Sequence, residues 1–326
     1  NRYLKKQCIR SITPINIQEI ENKTIVVDTS IYMYKFLEQN TLLENFFTMI
    51  TEMRHYNIQL LFIFDGIPDE SKMPILWERV YQRKEALQQY KTLKAEYESK
   101  TESNTLTAIE QDTLLKQMEQ YKKSSTRVKE KHIKKVKELL DAMNVYYMDA
   151  PMEADTLCAY FVNHDYAWAC MSDDMDMLTY GCKRIIREWC ITKKKGMLYD
   201  YNKILHDLGI HCDQFRNVLL LLGTDYHRDI NEDEIMTVDR VFRYYREYKN
   251  EDKREQSFYS WLQEKQAITP KNREKLEAIY LMYDLDTINP QTIKKTNTET
   301  NKNTQNQQYN VLQNILGKYG FIFTGL

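Results

Sequence analysis

Short apolar runs that end in an acidic residue alternate with helical patterns through the first half of the chain. Residues 24–28 (TIVVD) and 60–65 (LLFIFD) have the composition of buried strands, and they close on Asp28 and Asp65. Residues 145–148 and 166–171 are two further runs of this kind. Because strands that alternate with helices are joined by right-handed crossovers, we expect an α/β fold with a mostly parallel twisted sheet and helices on both faces.

The rest of the chain departs from this alternation in three places. An insertion over residues 72–140 is highly charged and free of glycine, and its helical stretches have little apolar face, which is typical of a projecting element. Residues 184–190 and 197–199 predict an antiparallel hairpin at one sheet edge. After residue 201 the pattern is helical, with a polar low-complexity segment at 294–308 that predicts a disordered loop.

Charge and composition narrow the classes of function. Lys+Arg 46 against Asp+Glu 47 gives a formal net charge of −1, so any binding of nucleic acid must come from local basic patches. No apolar run approaches the roughly 18 to 20 residues of a membrane span, and we expect no membrane contact. The 6 cysteines include no CxxC pair, which favours free thiols in a reducing, intracellular compartment over disulfides or a zinc site.

Acidic residues gather where the predicted strands end. They are Asp28, Asp65, Glu153, Asp155, Asp174, Asp176 and, later in the chain, Asp225. Parallel topology brings strand ends to one edge, where so many carboxylates would repel one another and raise their pKa values. Hard divalent cations relieve that repulsion, and two such ions catalyse phosphodiester hydrolysis in many nucleases. The alternative is that each acid is an ordinary helix cap or turn residue.

Five motifs in this region, taken together, resemble the flap endonuclease/XPG family of structure-specific 5′ nucleases. They are VDTSIYMY at 27–34, FIFDGIP at 62–68, DAPMEAD at 149–155, SDDMD at 172–176 and LGTDY at 222–226. The resemblance implies a PIN-like 5′ nuclease core over residues 1–226 and two Mg²⁺ ions, for which Mn²⁺ can substitute. It places the metal ligands on all seven acids above, with Asp155 standing where the family has glutamate.

The resemblance also assigns catalytic and DNA-binding roles. Lys72 and Arg79 match a basic pair that neutralises the scissile phosphate, and Asp174 is counted with them as catalytic. Tyr34 matches a tyrosine that stacks on the base beside the scissile bond, and Arg83 shares the helix face of Arg79. The alternatives are a solvated basic helix face for the cations and a core aromatic for Tyr34.

In the family, residues 72–140 correspond to a helical gateway and cap through which the single-stranded 5′ end passes. The basic residues expected to contact DNA phosphates there are Lys122, Lys123, Arg127 and Lys131. The alternative is a soluble helix face on which lysines alternate with glutamates. Residues 227–326 are expected to form a helical C-terminal region with DNA-binding and packing roles.

Three features depart from the family pattern. The resemblance implies a short segment before Asn1 that includes a glycine near the active site. Residues 231–234 (NEDE) replace a Gly-x-Gly hairpin, so we expect altered binding of the downstream duplex and no monovalent-cation site. Residues 313–319 match only part of a sliding-clamp motif, and an ordinary amphipathic helix is the favoured interpretation.

The sequence therefore predicts a divalent-metal-dependent flap endonuclease, with 5′–3′ exonuclease activity as a further expectation, that acts on branched or 5′-flapped DNA in replication, repair or recombination. The alternatives are a Holliday-junction resolvase or a 5′–3′ exoribonuclease of the same superfamily, or a catalytically weak DNA-binding scaffold. Polymerase, ligase and clamp partners are not identifiable from the residues. The expected location is a cytoplasmic factory for a viral protein or the nucleus for a cellular one.

Overall fold

A seven-stranded sheet lies at the centre of the computed structural model, which describes residues 2–68, 70–103, 105–224, 236–251, 256–288 and 305–318. The strands are β1 Ile12–Asn16, β2 Thr24–Asp28, β3 Gln59–Phe64, β4 Tyr146–Asp149, β5 Ala169–Met171, β6 Arg184–Cys190 and β7 Lys195–Asp200. Their order across the sheet is β1-β7-β6-β5-β2-β3-β4. The neighbours from β6 to β4 are parallel, whereas β7 pairs antiparallel with both β6 and β1.

Helices make up most of the remaining described chain. They are α1 Arg2–Gln7, α2 Thr29–Glu38, α3 Leu42–His55, α4 Met73–Glu102, α5 Ala108–Ser124, α6 Glu130–Ala142, α7 Ala154–Asn163, α8 Asp176–Thr179, α9 Tyr201–Leu208, α10 Cys212–Leu221, α11 Val238–Asn250, α12 Phe258–Glu264, α13 Pro270–Met282 and α14 Gln305–Gly317. None of these helices is long and apolar enough to cross a bilayer.

The sheet is covered on both faces, as predicted for an α/β fold. In β2, Val26 belongs to one buried hydrophobic cluster, whereas Ile25 and Val27 belong to the other. Successive side chains of a strand point to opposite faces, so a strand buried on both faces needs the unbroken apolar run of residues 24–27. The parallel topology then places the carboxyl ends of β2, β3, β4 and β5 along one edge.

The predicted hairpin forms as β6 and β7, and the edge strand β1 beside it has no counterpart in the predictions. Residues 12–16 (ITPIN) alternate too briefly to be distinguished from a loop, and Pro14 argues against a central strand. Pairing with β7 stabilises β1 as an edge strand, where proline is tolerated.

The insertion contains the two long helices that its charge pattern predicts. Helices α4 and α5 pack against each other, and Ala86 and Leu114 are their buried side chains. Helix α6 differs, because Val136 and Leu139 are fully buried where it packs on α3 and β4. The part that stands apart from the sheet is therefore α4 with α5, and α6 belongs to the helical layer although the predicted insertion extended to residue 140.

The C-terminal region is helical from α9 onward, as predicted. Residues 305–308, predicted to end a disordered loop, instead form the start of α14. This helix packs on α6 and buries Leu316 completely, and that apolar contact extends helical structure into the polar segment. Residues 294–304 lie outside the described residues.

Candidate active site

Six of the seven predicted acids lie along the carboxyl edge of the parallel strands. Asp28 is the last residue of β2, and Asp65 directly follows β3. After β4 the chain turns into α7 with Glu153 as its N-cap and Asp155 in its first turn, and after β5 it passes through Asp174 and Asp176. Asp225 and residues 231–234 lie outside the described residues.

Asp28 is the most buried of these acids, with 4 % of its surface exposed. The Ser172 hydroxyl donates a hydrogen bond to its Oδ2 at 2.9 Å. Burial, and then the charges of Asp65 and Asp174, raise the pKa of Asp28 to about 8, although the bond from Ser172 opposes that rise. Asp28 therefore lies within electrostatic range of two other predicted ligands from two other segments.

Asp65 is held by the starts of two helices. Its Oδ1 accepts a hydrogen bond from the Ala154 backbone amide at 2.9 Å, and its Oδ2 accepts one from the Ser30 hydroxyl. A free amide at a helix N-terminus is a favourable donor to a carboxylate. Asp65 thereby ties the turn after β3 to the first turns of both α2 and α7.

Gly66 allows that turn to approach the loop after β4. Its amide donates to the Met152 carbonyl at 2.6 Å, and a Cβ at this position would lie 2.0 Å from the Ala150 carbonyl oxygen. Only a residue without a side chain fits this contact. The glycine of the predicted DGIP motif thus brings Asp65 beside Glu153.

Glu153 is paired with a buried lysine. The Lys72 Nζ lies 2.6 Å from both carboxylate oxygens of Glu153, and Lys72 itself is 5 % exposed. Next to this pair, desolvation and the charge of Glu153 raise the pKa of Asp155 well above its ordinary value, while Lys72 opposes the rise. Weaker contributions from Asp28 and Asp174 link Asp155 to the acids after β2 and β5.

The loop after β5 is ordered by its own side chains. The Asp174 amide donates to the Ser172 hydroxyl at 3.1 Å, and the Asp176 amide donates to Asp174 Oδ1 at 2.8 Å. Ser172 therefore contacts Asp28 and Asp174 at once. Ser172 belongs to the SDDMD motif but had no predicted role, although a serine between an apolar run and two acids is a usable signal.

A β-bulge in β6 helps to hold the loop that follows β5. The pairing of β6 with β7 shifts register between Arg187 and Cys190, where Glu188 adopts a φ of 55°. The Glu188 amide is thereby turned out of the ladder and donates to Asp173 Oδ1 at 2.6 Å, and the Arg187 guanidinium donates to the Asp173 carbonyl. Bulges of this kind commonly aim groups at functional sites.

Two of the predicted DNA contacts meet in the structure. The Arg83 guanidinium lies 5.4 Å from the centre of the Tyr34 ring, in the geometry of a cation–π contact. This pairing joins α4 to α2, and both residues are partly exposed. Arg79 lies on the exposed surface of α4, one to two turns beyond the buried Lys72.

The basic residues at the far end of the insertion lie on the surface. Lys122 and Lys123 are in the last turn of α5, where Lys123 pairs with Glu119 at 2.7 Å. Arg127 and Lys131 follow in the connection and in the first turn of α6, and both are exposed. Exposure suits either predicted role, since a solvated helix face and a phosphate-binding surface both require it.

The donor set is suitable for a hard cation, although its side chains are not gathered around one point. Among the described residues no group of three acids, histidines or cysteines is close enough to hold an ion as it stands. Glu153 is engaged by Lys72, and Asp176 accepts a hydrogen bond from Tyr283 at 2.9 Å. Burial and, after it, the charges of neighbouring carboxylates nevertheless raise the pKa values of Asp28 and Asp155, and a divalent cation would offset both effects.

Comparison with known proteins agrees with this geometry. The model of the XPG N-terminal domain matches residues 2–86, and the model of the XPG I-region matches residues 144–225. Flap endonuclease 1-B of Xenopus laevis is 27 % identical over 241 residues, which are 67 % of this chain and 59 % of that protein. A probable RAD2-like endonuclease, 369L of Invertebrate iridescent virus 6, is 27 % identical over 277 residues, with 70 % and 66 % covered.

Among solved structures, the catalytic core of Rad2 in complex with a DNA substrate superposes with a TM-score of 0.60 at 20 % identity. The alignment covers 97 % of this chain and 94 % of that one. The shared sheet and helices define the class of the protein as an α/β fold of the PIN-like type. With both domain models matched in order, the chain belongs to the flap endonuclease/XPG family. It spans about three fifths of the length of the first curated relatives it matches.

Proposed function

We propose that this protein is a structure-specific 5′ nuclease of the flap endonuclease type. It hydrolyses DNA phosphodiester bonds and leaves a 5′-phosphate and a 3′-hydroxyl. The observation that carries the proposal is the row of carboxylates from four segments at one sheet edge, beside the buried Lys72 and the exposed Arg79. Family membership and the flap endonucleases among the relatives support it.

The acids fit divalent ions better than any other ligand, because Mg²⁺ and Mn²⁺ prefer carboxylate oxygens. The side chains that would hold two ions are Asp28, Asp65, Glu153, Asp155, Asp174, Asp176 and Asp225. When bound, such ions activate water and stabilise the leaving oxygen of a phosphodiester. Binding requires Glu153 to exchange its contact with Lys72, which then becomes available to a phosphate.

The remaining groups of the site hold the DNA. Lys72 and Arg79 would neutralise the charge that develops on the scissile phosphate, and an arginine can do so with two parallel hydrogen bonds. Tyr34 offers a ring for stacking on the neighbouring base, and Arg83 fixes that ring from α4. Lys122, Lys123, Arg127 and Lys131 add a basic surface that would follow the single strand past α4 and α5.

The test is Mg²⁺-dependent cleavage of labelled flap, nicked, four-way-junction and single-stranded DNA, together with a matched RNA flap. Asp174→Ala should lower the single-turnover cleavage rate at least about 100-fold without weakening DNA binding. Asp149→Ala is the matched control, since Asp149 also lies at the end of a strand but is paired with Lys137 at 2.6 Å. We expect the control to cleave at the wild-type rate.

Cleavage at the base of the DNA flap that is lost only in Asp174→Ala would establish the proposal. Preferred cleavage of the four-way junction or of RNA would favour the resolvase or the exoribonuclease of the same superfamily. Tight DNA binding by wild-type protein that cleaves no substrate would favour a scaffold. No observation in the described residues favours any of these three alternatives over the flap nuclease.

A further inference from the structure

A tyrosine from the C-terminal helices reaches into the acidic site. Tyr283 directly follows α13, and its side chain is fully buried. Its phenol donates a hydrogen bond to Asp176 Oδ2 at 2.9 Å. The same phenol is hydrogen-bonded to the side chain of Thr224, the last described residue before Asp225.

A second set of contacts connects Tyr283 to the acids of α7. The Tyr283 ring lies 4.7 Å from the ring of Tyr180, and the Tyr180 hydroxyl accepts a hydrogen bond from Thr156 Oγ1 at 2.9 Å. Thr156 in turn donates its backbone amide to Asp155 Oδ1 at 2.6 Å. The two tyrosine rings, tilted by 50° relative to each other, therefore lie between Asp155 on one side and Asp176 on the other.

The packing of the helices holds Tyr283 in this position. Helix α13 packs on α10, and α10 packs on α8, whose first residue is Asp176. Desolvation and the nearby charge of Asp176 raise the pKa of Tyr283 far above its ordinary value. The phenol consequently stays protonated and remains a donor to the carboxylate throughout the range in which proteins work.

We infer that Tyr283 is a positioning residue that orients Asp176, so that the packing of the C-terminal helices sets the affinity of the acidic site for divalent cations. The inference rests on the proposed function. A carboxylate that has lost a buried donor can rotate away from a cation, and groups that orient metal ligands commonly change metal affinity about 10- to 100-fold when they are removed.

The test compares two substitutions that each delete one buried phenol hydroxyl from the C-terminal helices. Tyr283→Phe keeps the ring against Tyr180 and removes the bond to Asp176. Tyr259→Phe is the matched control, because the Tyr259 hydroxyl is equally buried but donates to the Asn217 carbonyl at 3.2 Å, away from the acids. Thr224→Val is a second variant, which leaves Tyr283 in place and removes one bond to its phenol.

Mn²⁺ binding is measured by calorimetry in the absence of DNA, and the Mg²⁺ dependence of single-turnover cleavage is measured alongside. Tyr283→Phe should raise the Mn²⁺ dissociation constant and the half-saturating Mg²⁺ concentration about 10-fold, and Thr224→Val should raise both by less. Cleavage by Tyr283→Phe should recover at high Mg²⁺. Tyr259→Phe should leave the Mn²⁺ dissociation constant and the half-saturating Mg²⁺ concentration at the wild-type values. Its thermal midpoint should nevertheless fall by about as much as that of Tyr283→Phe.

The outcomes separate this inference from the proposed function. If wild-type protein binds Mn²⁺ and cleaves DNA while Tyr283→Phe has the cation affinity of Tyr259→Phe, positioning by Tyr283 is wrong and the nuclease proposal stands. If wild-type protein neither binds Mn²⁺ nor cleaves, the proposed function fails and this inference fails with it. A 10-fold loss of affinity confined to Tyr283→Phe, with a smaller loss in Thr224→Val, would establish it.

Discussion

Single side chains keep the crowded acidic edge compatible with a folded protein. The Ser172 hydroxyl donates a hydrogen bond to the buried Asp28 and accepts one from the Asp174 amide. One hydroxyl therefore links the end of β2 to the loop after β5. Lys72 supplies the positive charge that Glu153 needs in the absence of a divalent cation. Removal of either kind of partner takes a favourable contact from a desolvated carboxylate, which is costly in proteins.

The pKa of Asp28 gives the first prediction. Its value rises from 3.8 to about 8 on folding, so the folded state binds the proton more tightly than the unfolded chain. In chelator, the free energy of unfolding should therefore fall as the pH rises from about 4 to about 8. Asp28→Asn removes this titration, and denaturant unfolding near pH 5 and near pH 8 should show a fall smaller by on the order of a few kcal/mol.

The role of Asp28 in this pH dependence can be checked by adding Mg²⁺ and measuring the free energy of unfolding again. Added Mg²⁺ should stabilise the wild-type protein near pH 8 and should stabilise Asp28→Asn much less, since a bound ion offsets both the burial and the neighbouring charges that raise the pKa of Asp28. If the free energy of unfolding of Asp28→Asn changed with pH as much as that of the wild-type protein, titration of the Asp28 carboxyl would not be the cause of the fall.

Substitutions of Lys72 and Arg79 should differ in their effects on stability and on catalysis. Lys72→Met removes the ammonium group that lies 2.6 Å from Glu153 and that offsets the repulsion between Glu153 and Asp155, so the free energy of unfolding in chelator should fall by about 1 to 3 kcal/mol. Arg79→Ala changes an exposed side chain, so stability should stay within about 0.5 kcal/mol while single-turnover cleavage slows about 100-fold. Denaturant unfolding and single-turnover kinetics on both variants test this, and a slow, unstable Arg79→Ala would contradict it.

The acids were predictable from sequence and most of their partners were not. Strand periodicity places Asp28, Asp65 and Asp174 at strand ends, and parallel topology alone then brings strand ends together. Tyr283 is distant from Asp176 in the chain, and the periodicity of α13 gives no sign that the next residue turns into the site. Such contacts depend on how α8, α10 and α13 pack, which local patterns do not encode.

At the scale of elements, buried parallel strands were predictable because their apolar runs are unbroken. Strand β1 was missed because it is short, contains Pro14 and depends on β7 for its pairing. The bulge at Glu188 could not be predicted either, because a positive φ is unusual for a glutamate. This backbone conformation accompanies the hydrogen bond from the Glu188 amide to Asp173, which the local sequence does not indicate. Both features lie where tertiary pairing overrides local propensity.

Gly66 allows a prediction about two elements at once. Gly66→Ala places a Cβ 2.0 Å from the Ala150 carbonyl oxygen, so the turn after β3 and the turn after β4 must separate. We expect the free energy of unfolding to fall by about 1 to 3 kcal/mol, because overpacking forces backbone shifts. Cleavage should fall as well, since Asp65 moves away from Glu153.

The matched control for this change is Gly317→Ala at the end of α14, where an added Cβ meets no atom of the described residues within 4 Å. Alanine favours helix, so we expect this variant to be as stable as wild type or slightly more so. Thermal unfolding and flap cleavage of both variants make the measurement. A Gly66→Ala protein with wild-type stability and cleavage would show that the two turns are not packed as described.

On the scale of the whole molecule, two buried clusters lie on opposite faces of one sheet, and both receive helices from distant parts of the chain. One contains Trp261 and Leu276 of the C-terminal helices together with Val26 of the sheet. The other contains Leu316 of α14 together with Phe62. The C-terminal helices are therefore part of the same core as the strands that carry the acids, which is why Tyr283 can reach Asp176.

Burial of Leu316 also favours the amphipathic helix over the clamp-binding motif as the interpretation of residues 313–319. A clamp-binding motif presents its apolar anchors to a partner, whereas Leu316 is 0 % exposed against α6 and its neighbours. Leu316→Ala should therefore lower the free energy of unfolding by about 2 to 4 kcal/mol, the range for a buried leucine. Val311→Ala, at a position that is 44 % exposed, should change it by less than about 0.5 kcal/mol. Chemical denaturation of both variants tests the assignment, and an undiminished stability of Leu316→Ala would return the segment to the clamp-binding interpretation.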